Sequence, residues 1–155
     1  MKPIHLAYIA AAGSAALLAG AFVFQYLGYA PCKMCIWQRY PHAVAAALGL
    51  AFLALKNRLI LWLGALAALT TSAVGMYHVG VEKQWWEGPA SCSSGSITGL
   101  SVDELMNRIL AAPVVRCDEV AWEFIGISMA GWNAILSLAL AALWLIAALA
   151  HRRVN

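Results

Sequence analysis

The sequence predicts an all-α membrane protein, a four-helix transmembrane bundle with one long periplasmic loop that contains a short amphipathic helix. Composition supports this fold class, because the 155 residues are 63% hydrophobic and only 11% charged. A soluble domain carries about 25% charged residues to cover its surface. The mean hydropathy of +0.76 agrees. The apolar residues are gathered into four long stretches, and the length allows a single domain over residues 1–155.

The four apolar stretches cover residues 6–27, 35–55, 59–81 and 126–149. Each is close to the roughly 20 residues that a helix needs to cross a bilayer. The first stretch exceeds the usual apolar core of a signal peptide, so we expect it to be a retained helix. The second is polar in its first turns and apolar beyond them.

The only long connection is the predicted loop at 82–123. Inside it, Ser101 and Glu104 have the spacing of a capping box, which predicts a short helix that continues to about Leu110. Leu105, Ile109 and Leu110 form its apolar stripe, which is more typical of packing against the bundle or of lying in the membrane interface than of binding a partner.

Charge predicts the orientation of the spans. Four spans place both termini and the turn at 56–58 on one side, which carries basic residues and no acidic ones: Lys2, Lys56, Arg58, Arg152 and Arg153. The positive-inside rule makes that side cytoplasmic. We therefore expect a multi-pass protein of a bacterial inner membrane with a periplasmic loop. No basic cluster is interleaved with aromatic residues, so nucleic acid is not an expected partner.

All four cysteines fall on the predicted outer side. Cys32 and Cys35 form a Cys-x-x-Cys pair where the second span begins, and Cys92 and Cys117 lie in the water-facing loop. Disulfides persist in that compartment. Two structural disulfides would be the ordinary interpretation, but a Cys-x-x-Cys ring constrains little chain. The start of a helix also favours the reactive thiolate.

Arg39 lies one helical turn beyond Cys35 on the same face of the predicted second span. A cation at that depth is costly unless it is paired, hydrated or functional, and snorkelling to the lipid headgroups is the ordinary alternative. Beside a Cys-x-x-Cys pair, a guanidinium can stabilise a thiolate and donate hydrogen bonds to a quinone carbonyl. Two cysteine pairs at two depths suggest a relay by thiol–disulfide exchange.

A metal site is not expected from the cysteine spacing. Zinc sites show two close cysteine knuckles, whereas Cys92 and Cys117 are 25 residues apart. Haem attachment needs a histidine directly after the Cys-x-x-Cys pair, and the residue there is Ile36.

Three segments carry a resemblance to a known family. They are CKMCIWQR at 32–39, YHVGVE at 77–82 and CDEVAWEFIGISMAGW at 117–132. The first is similar to the Cys-x-x-Cys-x-x-x-Arg signature of the DsbB family of bacterial disulfide bond formation proteins. The third resembles that family's second loop cysteine running into the fourth span, and the second resembles its short alphaproteobacterial members.

The resemblance implies a quinone-dependent protein-disulfide oxidoreductase. It would reoxidise a periplasmic thioredoxin-fold dithiol protein of the DsbA type and reduce ubiquinone or menaquinone, and we expect it to be a monomer. Carried over by position, Cys92 would form the mixed disulfide with the donor, and Cys117 would be its partner.

The other implied roles lie at the quinone. Cys35 would be the thiolate against the quinone ring, Cys32 its partner and Arg39 the quinone-side cation. His78 falls near a family histidine at the quinone, although a satisfied interfacial histidine is the more ordinary interpretation.

Two alternatives stay open at this point. A quinone reductase of the vitamin K epoxide reductase type also uses a helical bundle with two cysteine pairs, but the Cys-x-x-Cys pair here heads the second span and not a later one. A disulfide-stapled membrane scaffold without redox turnover would carry the same cysteines and never change their state.

Overall fold

The computed structural model describes residues 3–89, 92, 101–111 and 115–151. Four long helices hold most of them: α1 (Pro3–Tyr26), α2 (Lys33–Leu55), α3 (Arg58–Glu82) and α5 (Met129–His151). A shorter helix, α4 (Val102–Ala111), precedes a small antiparallel sheet of β1 (Glu123–Phe124) and β2 (Ile127–Ser128).

Each long helix packs against two others, with α1 and α3 both packing between α2 and α5. The contacts use small residues. In α3, Gly64 faces the indole of Trp144 in α5, and a Cβ at this glycine would lie 2.6 Å from the ring. In α1, Gly13 faces Leu140 in the same way. Small residues let helices approach closely where lipid removes the hydrophobic drive for association.

By length and composition, the helices α1, α3 and α5 are long and apolar enough to cross a membrane. Large apolar side chains lie exposed on their outer faces, among them Phe22, Leu66 and Leu138. Water-soluble monomers rarely expose apolar surface on this scale. The chain is therefore a mainly helical membrane protein.

The connection between α2 and α3 is a two-residue turn. Lys56 adopts a left-handed conformation with a φ of 46°, and its N–H donates to the Phe52 carbonyl to close α2. Asn57 then caps α3, because its side-chain oxygen accepts from the N–H of Leu59 at 2.8 Å. So short a turn makes α2 and α3 antiparallel neighbours.

The helix α4 begins with the capping box that the sequence predicts. The hydroxyl of Ser101 donates to Glu104 at 2.7 Å, and the N–H of Glu104 donates back to that hydroxyl at 3.4 Å. The side chain of Leu110 is 78% exposed, so the described chain covers little of it. The side chains of Leu105 and Ile109 lie outside the described residues, so the stripe they were predicted to form stays a prediction.

The helix α5 begins three residues after the start of the predicted fourth span. Residues 123–128 form a hairpin, and α5 begins only at Met129. The two residues at the hairpin tip, Ile125 and Gly126, have φ values of 54° and 71°. Positive φ at both central positions is the mark of the tight turn that joins antiparallel strands. The predicted fourth span includes residues 126–128, because composition alone does not separate a short apolar strand from the end of a helix.

Candidate functional site

The fold brings the two cysteine pairs together where α2 begins and α3 ends. Cys32, Cys92 and Cys117 are buried in one cluster with Met34 and Val81, and Cys35 packs against it. Cys92 and Cys117, the loop pair, thus pack against the Cys-x-x-Cys pair, and the four cysteines form one site.

The first pair is organised by the start of α2. Cys32 occupies the N-cap position, and its sulfur accepts the N–H of Cys35 at 3.3 Å. The thiol of Cys32 also donates to the sulfur of Cys35 at 2.9 Å. This hydrogen bond and burial hold the pKa of Cys32 far above its ordinary value. Cys32 therefore keeps its proton, and a negative charge on the pair resides on Cys35.

The second pair is buried, with both Cys92 and Cys117 at 0% exposure. The prediction that this pair is exposed to water is therefore wrong. The backbone N–H of Cys117 donates to the backbone carbonyl of Cys92 at 2.8 Å, and this hydrogen bond joins the two parts of the loop that carry the cysteines. The joined segment docks on Met34 and Val81, so apolar packing covers both sulfurs.

An ion pair stabilises the chain beside Cys117. The guanidinium of Arg116 donates to both carboxylate oxygens of Asp118, at 2.9 and 2.5 Å. This hydrogen bonding holds the pKa of Asp118 below its ordinary value. The pair brackets Cys117 in sequence, so it fixes the local turn that presents the buried cysteine.

His78 lies between the two cysteine pairs. Its side chain is 3% exposed. Its Nε2 lies 3.6 Å from the sulfur of Cys32 and 3.2 Å from the carbonyl oxygen of Cys117. Its Nδ1 lies 3.0 Å from the side-chain nitrogen of Gln38. The histidine is therefore a buried member of the site that contacts both cysteine pairs.

The neighbours of His78 determine its tautomer. The side-chain nitrogen of Gln38 donates to the carbonyl of Met34 at 3.2 Å, and a carbonyl can only accept. The same NH₂ group therefore donates to Nδ1 of His78, which leaves the ring proton on Nε2. That N–H points at Cys32 and at the carbonyl of Cys117.

This tautomer decides how the cluster can be used. The ligating atoms of Cys32, Cys35 and His78 lie within 4.8 Å of one another, a spacing that could hold a metal ion. A metal needs the lone pair of an imidazole nitrogen, but the nitrogen facing the sulfurs carries the proton. The arrangement favours hydrogen bonding to a thiolate over metal ligation.

The network continues to the hairpin through Glu82. The side chain of Glu82 is 5% exposed, and its carboxylate lies 4.0 Å from Nε2 of His78. Its other oxygen accepts a hydrogen bond from the hydroxyl of Ser128. Ser128 also accepts the N–H of Gly131 at 3.2 Å, so one residue joins the carboxylate to the start of α5.

A cavity of about 440 Å³ opens beside the Cys-x-x-Cys pair. Its polar lining includes Cys35, Arg39, His42, His78 and Glu82. Aromatic rings form another wall, where Phe24 and Trp122 meet edge to face with 5.0 Å between their centroids. An apolar cavity of this size with a few convergent polar groups suits a small ring-shaped ligand.

Arg39 is held against α1. Its terminal nitrogens donate to the side chain of Gln25 at 2.6 Å and to the carbonyl of Ala21 at 3.3 Å. Its guanidinium carbon lies 4.9 Å from the ring centroid of Phe22. The third nitrogen, Nε, is buried and has no hydrogen-bond partner in the described part of the chain. A buried orphan donor in a cavity-lining residue fits a carbonyl oxygen of a quinone.

The sequence model of disulfide bond formation protein DsbB matches residues 4–147. The chain belongs to the DsbB family. Among similar DsbB proteins, disulfide bond formation protein B of Verminephrobacter eiseniae is 36% identical over 94% of this chain and 85% of its own length. Disulfide bond formation protein B 2 of Pseudomonas aeruginosa is 32% identical over 81% of this chain and 79% of its own. No solved structure matches the chain.

All six residues that the sequence singles out for this DsbB-family chain lie in or against the site. Cys35, Cys32, Arg39 and His78 line the cavity, and Cys92 and Cys117 lie in the cluster beside it. Their chemical roles stay predictions. Sequence reasoning missed Gln38, His42, Glu82 and Asn133 as members of the network. Their signal was present, because polar residues inside apolar helices are rare and mark function.

Proposed function

We propose that this DsbB-family protein is an inner-membrane thiol oxidase, a quinone-dependent protein-disulfide oxidoreductase. It takes an electron pair from a periplasmic thioredoxin-fold dithiol protein of the DsbA type and passes it to ubiquinone or menaquinone. The balanced reaction converts donor dithiol and quinone into donor disulfide and quinol. The observation that supports this proposal is the packing of the loop pair on Cys32 while Cys35 and Arg39 line one cavity.

The first exchange occurs at the loop pair. A donor thiolate attacks the sulfur of Cys92 in a Cys92–Cys117 disulfide. The Cys92–Cys117 bond breaks, a donor–Cys92 bond forms, and the electron pair leaves on Cys117 as a thiolate. The donor's second thiolate then attacks the donor sulfur, which releases Cys92 as a thiolate and the donor as a disulfide.

The second exchange passes the electron pair to the Cys-x-x-Cys pair. Cys117 attacks Cys32 and not Cys35, because Cys32 is the member of the pair buried in the cluster with Cys117. A Cys117–Cys32 bond forms and the Cys32–Cys35 bond breaks, which leaves Cys35 as a thiolate at the cavity wall. Cys92 then reduces the new disulfide, restores the loop pair and leaves Cys32 reduced.

The residues of the site hold the charges that these steps create. The N–H of His78 faces Cys32, so it stabilises the thiolate that leaves when Cys92 reduces the Cys117–Cys32 disulfide, before Cys32 takes up its proton. The cation of Arg39 lies one helical turn from Cys35 and favours its thiolate. A bound quinone would supply the electron acceptor. Arg39 would hold it through the orphan Nε–H, with Cys35 beside it.

We also propose that α2 is a fourth membrane span, which completes a four-helix transmembrane bundle. In the C-terminal half of α2, the side chains of Leu50, Leu53 and Leu55 are 70%, 51% and 69% exposed. Apolar side chains so exposed suit lipid. The termini and the turn at 56–57 are then cytoplasmic, and the cysteines and the loop at 82–123 are periplasmic. One chain builds the whole site, so we propose that it acts as a monomer.

The proposed topology predicts opposite labelling of two exposed positions. The test uses Lys56→Cys and Glu119→Cys in a variant whose native cysteines are replaced by alanine, since the native sulfurs are too buried to report. A membrane-impermeant maleimide applied to spheroplasts is expected to label Glu119→Cys and to spare Lys56→Cys. Both should react after detergent is added. Labelling of Lys56→Cys in sealed spheroplasts would reverse the orientation.

The proposed reaction predicts a fixed stoichiometry. The protein in lipid nanodiscs, given a reduced thioredoxin-fold donor and ubiquinone-1, is expected to form one quinol for each donor disulfide. Quinol is followed by ultraviolet absorbance and donor thiols by alkylation and mass. Omission of quinone should stop turnover after the protein's own disulfides are reduced. Cysteines that stay in one redox state throughout would support the scaffold instead.

A further inference from the structure

His42 lies deeper in the cavity than any residue used in the proposed relay. It follows Cys35 by seven residues and Arg39 by three, so all three share one face of α2. The rise of an α-helix places it about 10 Å along the axis from Cys35. Its side chain lines the cavity and is only 3% exposed.

A chain of hydrogen bonds fixes which nitrogen of His42 carries the proton. The oxygen of the Gln38 side chain accepts from the side-chain nitrogen of Asn133 at 2.7 Å. The oxygen of Asn133 must then face His42, and it lies 2.8 Å from Nε2. An oxygen there only accepts, so Nε2 of His42 carries the hydrogen.

This chain starts from a group that cannot change its role. The carbonyl of Met34 accepts from Gln38 and so orients the Gln38 amide, which in turn orients Asn133 and then His42. Thr71 supports the same orientation of Asn133. Its hydroxyl donates to the backbone carbonyl of Gln38 and accepts a hydrogen bond from the side-chain nitrogen of Asn133 at 3.2 Å. The proton on His42 is therefore set by the backbone of α2.

The remaining nitrogen of His42 is left without a partner. Nδ1 is buried and has no hydrogen bond among the described residues. It carries a lone pair and can only accept. Buried polar atoms are nearly always satisfied, so an orphan acceptor in a cavity-lining side chain points to a ligand that brings a donor.

We propose that His42 is a quinol-recognising residue whose Nδ1 accepts a hydrogen bond from a hydroxyl of the two-electron-reduced ring. The inference rests on the proposed function and adds a direction to it. A quinone offers only carbonyl oxygens, whose lone pairs face the lone pair of Nδ1 unfavourably. Its quinol, formed by uptake of two electrons and two protons, offers a hydroxyl. His42 therefore favours the reduced ligand, while Arg39 offers its N–H to an oxygen in either state.

Preferential binding of quinol would favour oxidation of the Cys32–Cys35 pair. Because binding favours quinol, the bound quinone is a stronger oxidant than the same quinone in lipid. Electron transfer from the Cys32–Cys35 dithiol becomes more favourable by the same factor by which quinol affinity exceeds quinone affinity. The reduced Cys32–Cys35 pair supplies the electron pair and the proton held on Cys32, and the second proton is taken up from water, so His42 needs to release none.

Two isosteric substitutions of His42 separate its two nitrogens. In His42→Asn the amide overlaps the Nδ1 position, so an acceptor toward the cavity is retained. In His42→Gln the amide reaches the Nε2 position, so the bond to Asn133 is retained and the acceptor toward the cavity is lost. Ser137→Ala is the control, because Ser137 contacts Nε2 at 3.4 Å and does not line the cavity.

The measurement is equilibrium binding of ubiquinone-1 and of its quinol to the full chain in nanodiscs under anaerobic conditions. We expect His42→Gln to lower the ratio of quinol to quinone affinity by about three- to tenfold, the size of one neutral hydrogen bond. His42→Asn and Ser137→Ala should keep most of that ratio. Equal loss of both affinities in His42→Gln, or an unchanged ratio, would overturn the proposal. Absence of any quinone or quinol binding to the unaltered chain would instead overturn the proposed function.

Discussion

Replacement of Cys117 by serine is expected to abolish turnover and, with a donor whose second cysteine is replaced by alanine, to trap a covalent complex between the donor and Cys92. The attack on Cys92 needs a disulfide, so the variant is first charged with a mixed disulfide to a small aromatic thiol at Cys92. The donor displaces that thiol, and the serine at 117 cannot return a thiolate to reverse the step or to attack Cys32. A non-reducing gel with mass spectrometry of the adduct measures the product.

The matched control is Cys92→Ser, which retains the Cys117 thiol but lacks the sulfur that the donor attacks. It is expected to form no productive adduct and to have no activity. A donor adduct found on Cys35 would reverse the order of the relay. Full oxidase activity in a variant without both Cys92 and Cys117 would remove the relay from the mechanism altogether.

Replacement of Arg39 by alanine is expected to raise the apparent Michaelis constant for quinone by about ten- to a hundredfold. In the proposed function the side chain would supply a charge-assisted hydrogen bond to the quinone, and such bonds contribute about 1.5–3 kcal/mol. The first exchange with the donor at Cys92 should continue, since it occurs in the loop cluster. Steady-state kinetics with varied ubiquinone-1 measure the first effect, and single-turnover alkylation measures the second.

Arg58→Ala is the control for a general effect of losing an arginine. Arg58 lies at the opposite end of the bundle, where its Nε donates to the carbonyl of Ala148 at 3.2 Å. We expect quinone kinetics in that variant to match those of the unaltered chain. If Arg39→Ala and Arg58→Ala behaved alike, Arg39 would be an interfacial arginine and the quinone would be held by other groups.

Sequence reasoning predicts the helical membrane character because that property depends on composition summed over long stretches. The hairpin before α5 is not predicted from the sequence, because six residues carry too little periodicity to distinguish a strand from a helix end. The tight turn at Lys56 and Asn57 is a local pattern, and such patterns survive into the structure since few distant contacts compete with them.

In the site, too, the features that depend on local sequence can be predicted and those that depend on distant contacts cannot. The Cys-x-x-Cys pair and Arg39 lie within eight residues, so helix spacing alone relates them. The burial of Cys92 and Cys117 depends instead on how a loop docks on Met34 and Val81, a contact between distant parts of the chain. The tautomers of His78 and His42 depend on a hydrogen bond donated by Gln38 to His78 and on one that Asn133 accepts from His42, which no local pattern encodes.

Burial of Cys92 and Cys117 determines which thiols can react with them. Both Cys92 and Cys117 are at 0% exposure, so no thiol reaches either sulfur until the packing over it is displaced. A small thiol such as glutathione gains too little contact energy to displace that packing, whereas a folded donor gains it across a whole docking surface. Burial thereby protects both sulfurs from the bulk thiol pool, and in the proposed reaction it would keep small thiols from consuming the oxidising equivalents that the quinone supplies.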